Sequence, residues 1–202
     1  MITTISYEQD DILNGIIELY CTGGFECDLT YSAGNFYDHI PQPKYKFDLE
    51  PQAEGVLQAD SRNVPLPDHS VQSVVFDPPF VAGWSTGKGA SSIIRTWYSS
   101  YRTIAELWAF YHDTMIECKR ILVDKGFLVF KCQDTVQDHK NYFSHIKIMN
   151  DALKIGFYPK DMFVLLAKQR MPRVNQTKQE HARKFHSYFW VFQNMDSRVC
   201  YE

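Results

Sequence analysis

Residues 71–80 read VQSVVFDPPF, a buried strand and the turn that stops it. Residues 71–76 are a short apolar run rich in β-branched side chains, the kind that fills a strand covered on both faces. Asp77-Pro78-Pro79-Phe80 then stops it. Two successive prolines cannot continue a central strand, and each fixes φ near about −65°. A rigid turn therefore stands at the carboxyl end of a buried strand, where open α/β sheets bind their ligands. There Asp77 and the carbonyl of Pro78 are two fixed acceptors, a pair that fits an –NH2 group, and the Phe80 ring can stack on the flat ring carrying that amine. An Asp-Pro turn closed by a core Phe is the plainer account of most DPP tripeptides. The residues upstream favour the ligand-binding account here.

Working outward, strands alternate with helices. The spacing of Ile12, Ile16, Ile17 and Leu19 predicts a helix over 9–20, after an acidic start. Residues 24–30, 44–49 and 55–59 read as short strands. Residues 31–37 form a loop opening a brief helix that Pro41 and Pro43 must end. Residues 104–121 are the best amphipathic helix in the chain. Asp124-Lys125-Gly126 turns into a strand over 127–132, a second helix covers 141–154, and strands at 162–167 and 187–192 close the domain. The fold expected is α/β and Rossmann-like: a mostly parallel sheet with an antiparallel closing pair and helices on both faces. The whole of 1–202 reads as one domain, and strand order is not legible. Residues 81–103, rich in Gly, Ser and Thr, and the polar, basic 168–186 are loops long enough to carry function.

Composition excludes several classes. With 45% hydrophobic and 22% charged residues among 202 and a mean hydropathy of −0.33, the chain is neither disordered nor fibrous. No stretch reaches the roughly 18 apolar residues of a membrane span, and the N-terminus lacks a signal-peptide pattern. The five cysteines (Cys21, Cys27, Cys118, Cys132, Cys200) are odd in number with no CxxC pair, which reads as reduced thiols in a cytoplasmic protein. The histidines show no HxxxH or HExxH pattern, and no metal is assigned. The net charge of −3 hides an asymmetry. Residues 1–80 hold 3 Lys/Arg against 13 Asp/Glu, and residues 81–202 hold 18 against 11. An acidic half and a basic half point to two surfaces with different partners.

Three acids close the strands before the DPPF turn. Asp28 ends FECD and leads into Thr30-Tyr31-Ser32-Ala33-Gly34-Asn35. Asp48 ends KYKFD, 20 residues later, the spacing at which an acid meets a ribose diol in nucleotide folds. Asp60 follows GVLQA, in position to bond an adenine amino group. Each alone reads as a surface residue at a strand end; their order raises the functional account. The turn is not GxGxxG, so dinucleotide phosphates are poorly served.

In these residues the chain resembles the class I S-adenosylmethionine-dependent methyltransferases that act on amines. D-L-T-Y-S-A-G-N, from Asp28, resembles the cofactor loop, whose common form is D-P-F-x-G-S-G-T. Asp48 and Asp60 match the acids after the second and third strands, and Asp77-Pro78-Pro79-Phe80 matches the D/N/S-P-P-Y/F/W catalytic motif. The resemblance spans about residues 9–192, in the unpermuted motif order. Its size and wording are similar to the DNA methylases of phages and prophages. Thr30 departs from the usual Phe and Ser32 from the first Gly, and no separate target-recognition domain is expected in a chain of this length.

The resemblance implies S-adenosylmethionine as cofactor, held by Asp28, Thr30, Tyr31, Ser32, Gly34, Asp48 and Asp60. It implies direct transfer of the methyl group to the amine, with Asp77, Pro78, Pro79 and Phe80 as catalytic residues and no cysteine nucleophile. The substrate implied is a nucleobase in DNA, with adenine N6 expected because the motif opens with Asp; SPP is commoner for cytosine N4. Substrate contacts are expected from 81–103 and 168–186: Trp84, Lys88, Arg95, Arg183 and Lys184. Lys131-Cys132-Gln133-Asp134 reads either as a cleft lining or as an ordinary strand exit. Competing readings are an RNA methyltransferase acting on guanine N2 or adenine N6, and a non-catalytic nucleotide-binding domain of the same fold.

Overall fold

The computed structural model describes residues 1–82, 101–168 and 180–195. Its strands, in chain order, are β1 (Ile5–Ser6), β2 (Cys27–Asp28), β3 (Tyr45–Asp48), β4 (Leu57–Gln58), β5 (Val71–Phe76), β6 (Leu122–Cys132), β7 (Thr135–Gln137), β8 (Lys140–Tyr142), β9 (Phe157–Leu166) and β10 (His186–Asn194). The α-helices are α1 (Gln9–Tyr20), α2 (Ile104–Ile121) and α3 (Ser144–Ile155), with a 3-10 turn at Asn35–Tyr37. Eight strands form one sheet in the order β1-β9-β10-β6-β5-β2-β3-β4. The run β6-β5-β2-β3-β4 is parallel. β10 runs antiparallel to both β6 and β9, and β1 adds to β9 in parallel. The mostly parallel sheet with an antiparallel closing pair is thus the sheet expected from sequence.

Alternation within β5 and β6 explains the apolar runs over 74–76 and 127–130. Val74, Phe76, Leu128 and Phe130 belong to a core with Leu107, Tyr111 and Met115 of α2. Val75 and Val129 belong to the other core, with Ile12, Leu13 and Ile16 of α1. Both faces of the sheet are covered, so the residues of both sets are apolar over 74–76 and 127–130, and the buried Ser73 is satisfied by the Glu26 N–H at 2.9 Å.

Local chemistry fixes the helix ends. Asp10 and Asp11 lie in the first turn of α1, favourable beside the positive end of the helix dipole. Thr103 caps α2, its Oγ1 accepting the Glu106 N–H at 3.1 Å, while the Glu106 carboxylate accepts the Arg102 N–H at 2.8 Å. This is a capping box displaced by one residue. α3 ends at Gly156, whose φ of +96° is the left-handed C-cap conformation.

Several expected bounds need correction. The strand expected over 24–30 is only Cys27–Asp28 and that over 55–59 only Leu57–Gln58. β6 starts at Leu122, straight from α2, not at 127. Residues 124–126 bulge within it, with Lys125 at φ +61°, and the register against β5 jumps between Val71 and Ser73. A Cβ on Gly126 would come within 2.9 Å of the Gln72 carbonyl, so the bulge needs glycine there. The helix expected from 141 begins at Ser144, because 135–142 fold into the β7–β8 hairpin. Its two-residue turn, Asp138-His139, has both φ angles positive, as hairpin turns of that length require. The strand expected over 162–167 begins at Phe157 and ends at Leu166. No described helix is long and apolar enough to cross a membrane.

Candidate active site

The strand order places the site. From β2 the chain moves outward through β3 and β4; from β5 it continues to β6 on the other side, and β2 and β5 are neighbours. Their carboxyl ends therefore flank the point where the sheet's winding reverses, and a crevice opens there. Asp28 is the last residue of β2 and Asp77 the first beyond β5.

Asp28 is almost fully enclosed, 2% exposed. Its Oδ1 accepts the Thr30 N–H at 2.7 Å, and its Oδ2 accepts the Tyr37 hydroxyl at 2.6 Å. Burial pushes its carboxyl up to about 7, against the lowering effect of the Tyr37 and Thr30 hydrogen bonds, and the nearby Asp77 charge raises it further. The Thr30 hydroxyl also accepts the Asp77 N–H at 2.8 Å. Thr30, where the resembled motif has Phe, thus ties the loop after β2 to the turn after β5. Asp48 holds the other side of that loop: its Oδ2 accepts the Ser32 N–H and its Oδ1 the Glu50 N–H, both at 2.8 Å. Ser32 has φ +53° and Gly34 φ +84°, so the loop coils tightly without a glycine triplet. A Cβ on Gly34 would stand 2.6 Å from the Tyr31 hydroxyl.

The DPPF turn is pinned from below by α2. The Tyr111 hydroxyl donates to the Pro79 carbonyl, and its ring packs edge-on against Phe76 and Phe130. Asp77 is paired: the Lys131 ammonium donates to its Oδ2 at 3.0 Å. At the far end, both Asp60 oxygens face the Arg62 guanidinium, with Nη2 to Oδ2 at 2.6 Å. That hydrogen bonding holds the Asp60 carboxyl below its ordinary value. The Arg62 guanidinium lies 5.8 Å from the Phe110 ring centroid, and Tyr101 stacks on Phe110 at 4.9 Å.

These groups line one cleft of about 370 Å³, within the range of small-molecule sites. Of the residues singled out from sequence it gathers Asp28, Thr30, Tyr31, Ser32, Asp48, Asp60, Asp77, Pro78, Pro79 and Phe80. Gly34 does not line it and shapes the loop behind. Arg183 is exposed outside the cleft, and the Lys184 ammonium lies 5.4 Å from the Phe143 ring. Trp84, Lys88 and Arg95 fall outside the described residues. Gln9, Arg62, Tyr101 and Phe110 also line the cleft, and sequence reasoning missed them because they carry no motif. Lys131 lines it too, which decides between the two readings of 131–134 for that residue. The four described cysteines are free and buried, and burial raises each thiol, away from the thiolate a nucleophile needs.

The donor set fits S-adenosylmethionine. Each Asp48 oxygen accepts a single backbone N–H and keeps a lone pair for a diol. Phe110, Tyr101 and Arg62 offer flat surfaces at the same end of the cleft as Asp60, suited to a purine.

A family model described as DNA methylase, its name covering both N6 and N4 methylation, matches residues 71–198. The chain belongs to this DNA methylase family, a family of class I S-adenosylmethionine-dependent amino-methyltransferases. No curated protein matches by sequence. Among solved structures, a candidate methyltransferase of Bacillus halodurans is 11% identical, with a TM-score of 0.50 over 91% of this chain and 98% of that one. A candidate Haloferax volcanii methyltransferase, solved with the Trm112 methyltransferase activator, is 13% identical, with a TM-score of 0.51 over 85% and 82%. A candidate DNA modification methylase of Thermus thermophilus, complexed with S-adenosyl-L-methionine, is 21% identical, with a TM-score of 0.44 over 68% and 54%. The first two share the class I methyltransferase fold with this chain. The chain spans about half the length of the DNA methylase structures it matches.

Proposed function

We propose that this chain carries the catalytic unit of an S-adenosylmethionine-dependent methyltransferase that acts on the exocyclic amine of a nucleobase in DNA, adenine N6. One observation carries the reading. Asp77 and Pro78, the two acceptors, line the same cleft as Asp28 and Asp48. A group held by Asp48 and the loop that Asp28 braces therefore lies beside a group held by the DPPF turn.

When bound, the cofactor supplies an electrophilic methyl group. The chain's own residues do the rest. Asp48 accepts from the ribose hydroxyls, and Asp60, fixed by Arg62, faces the adenine ring. Asp77 and the Pro78 carbonyl accept the two N–H bonds of the target amine. They orient it and draw its lone pair out of conjugation with the base, so the nitrogen would take the methyl group in line as its bond to the sulfonium sulfur breaks, the thioether leaving neutral and the surplus amine proton passing to solvent. Phe80 stacks on the base. The base must leave the duplex to reach this cleft, and the basic segments 81–103 and 168–186, with Arg183 and Lys184, are the proposed phosphate contacts. The Asp that opens the motif favours adenine over cytosine, by the family resemblance.

Single-turnover transfer of a tritiated methyl group to DNA and to RNA, followed by mass spectrometry of the nucleosides, tests this. The expected product is N6-methyladenine in DNA. Asp77→Ala should cut the rate roughly 10²- to 10³-fold, as losing one preorganised transition-state contact does, with cofactor affinity kept. Wild-type rates from that variant, or label found only in RNA, would overturn the assignment.

A further inference from the structure

We infer that Lys131 is a positioning residue for Asp77, holding one carboxylate oxygen so that the other faces the target amine. The inference rests on Asp77 being the acceptor of that amine, as proposed above. Phe76 and Phe130 are register partners in the parallel β5–β6 pair, so the next residues of the two strands, Asp77 and Lys131, emerge side by side at the sheet edge. The Lys131 ammonium donates to Asp77 Oδ2 and to Gln9 Oε1, each at 3.0 Å. The centroids of Phe36, Phe80 and Phe189 lie 5.3, 5.9 and 5.4 Å from the same nitrogen. The lysine side chain is 14% exposed and that of Asp77 25%.

This is not a solvated surface pair. Three rings take the place of water around the ammonium, which strengthens the remaining hydrogen bonds. Gln9, at the start of α1, accepts a second hydrogen bond from it. The DPPF turn explains why such an anchor is needed. Two prolines fix the backbone, and the Thr30 hydroxyl holds the Asp77 N–H, but neither restricts the Asp77 side-chain torsion. Lys131 does. Among the described residues, Asp77 Oδ1 has no donor, and it is the oxygen left for substrate. A carboxylate free to turn would spend part of its time aimed elsewhere, and misplacement of about 1 Å at a reacting centre can cost roughly 100-fold in rate.

The test compares Lys131→Met, which keeps the stem and removes the donor, with Lys131→Arg, Asp77→Asn and the Lys131→Met/Asp77→Asn double variant. Lys131→Met should slow single-turnover methyl transfer roughly 10- to 100-fold, with calorimetric affinities for cofactor and DNA changed less than about threefold. Lys131→Arg should recover most of the rate. In the Asp77→Asn background, Lys131→Met should change the rate less than about twofold, because a residue acting through Asp77 loses its effect once Asp77 is altered. A full additional loss in that background, or a defect confined to affinity, overturns the inference. A crystal structure of Lys131→Met reads the same point without turnover: Asp77 should leave its single rotamer, and an unmoved Asp77 refutes the positioning role. If the wild-type protein methylates no nucleic acid, the proposed function fails, while that structure still decides what Lys131 does.

Discussion

Asp28→Asn should make the fold more stable at neutral pH. The Asp28 carboxyl is pushed up to about 7 in the folded protein, from an ordinary 3.8, mainly by burial. A raised value means that the folded state holds the proton more tightly than the unfolded chain. The stabilisation from that proton is complete below the unfolded value and is lost as pH rises through the folded one. The loss therefore runs from about pH 4 to about pH 7. Each pH unit between the two values is worth about 1.36 kcal/mol, so the total is on the order of 4 kcal/mol. Asparagine removes the ionisation and keeps the shape. Its carbonyl can still accept the Thr30 N–H, and its amide can donate to a Tyr37 hydroxyl turned to accept. Urea unfolding of both proteins at several values between about pH 4 and pH 8 reads the effect. The variant should match the wild type at the acid end and exceed it by up to about 4 kcal/mol at the other, an upper limit of roughly 8–16 °C in Tm for a chain of this size. Curves that stay parallel across the range would mean that Asp28 is not the group that titrates.

Asp48→Ala should weaken S-adenosylmethionine binding roughly 10- to 150-fold by calorimetry, the loss of one charge-assisted hydrogen-bond partner, in a protein with an unchanged circular dichroism spectrum. Replacing Arg183 and Lys184 together with alanine should lower the slope of log affinity for duplex DNA against log salt by up to about 1.8, at about 0.9 for each phosphate contact, with cofactor affinity unaltered; an unmoved slope makes them solvated surface. Gly34→Ala should destabilise the protein by roughly 1–3 kcal/mol in urea, since φ is +84° there and the new methyl would meet the Tyr31 hydroxyl at 2.6 Å.

The parts of the fold that were legible in the sequence are those with a strong period. The bounds of β5 and α2 coincide with the expected 71–76 and 104–121, because β-branched runs and an amphipathic stripe are local signals. The β7–β8 hairpin was not legible, since its turn places Asp138 and His139 in the left-handed region without a glycine to mark it. β1 is two residues long, too short for any period. At the site, the acids Asp28, Asp48, Asp60 and Asp77 were readable because each ends or follows a strand, and a parallel sheet brings such ends to one edge. Gln9, Phe110 and Lys131 reach the same cleft from α1, α2 and β6, and only the strand order, which no local pattern encodes, brings them there.

The hydroxyl of Thr30 serves two walls of the cleft at once. It accepts from the Asp77 N–H at 2.8 Å and lies 3.4 Å from Asp28 Oδ1. A ligand that shifts the loop after β2 thereby moves a partner of the turn after β5, and the reverse holds equally. Linkage makes such coupling reciprocal: whatever factor one ligand imposes on the affinity of the other, it receives in return. A single β-branched side chain thus touches both sides of the crevice, and Thr30→Val, which keeps the shape and cuts the bond, should reduce the dependence of one ligand's affinity on the other, read by titrating each with and without its companion.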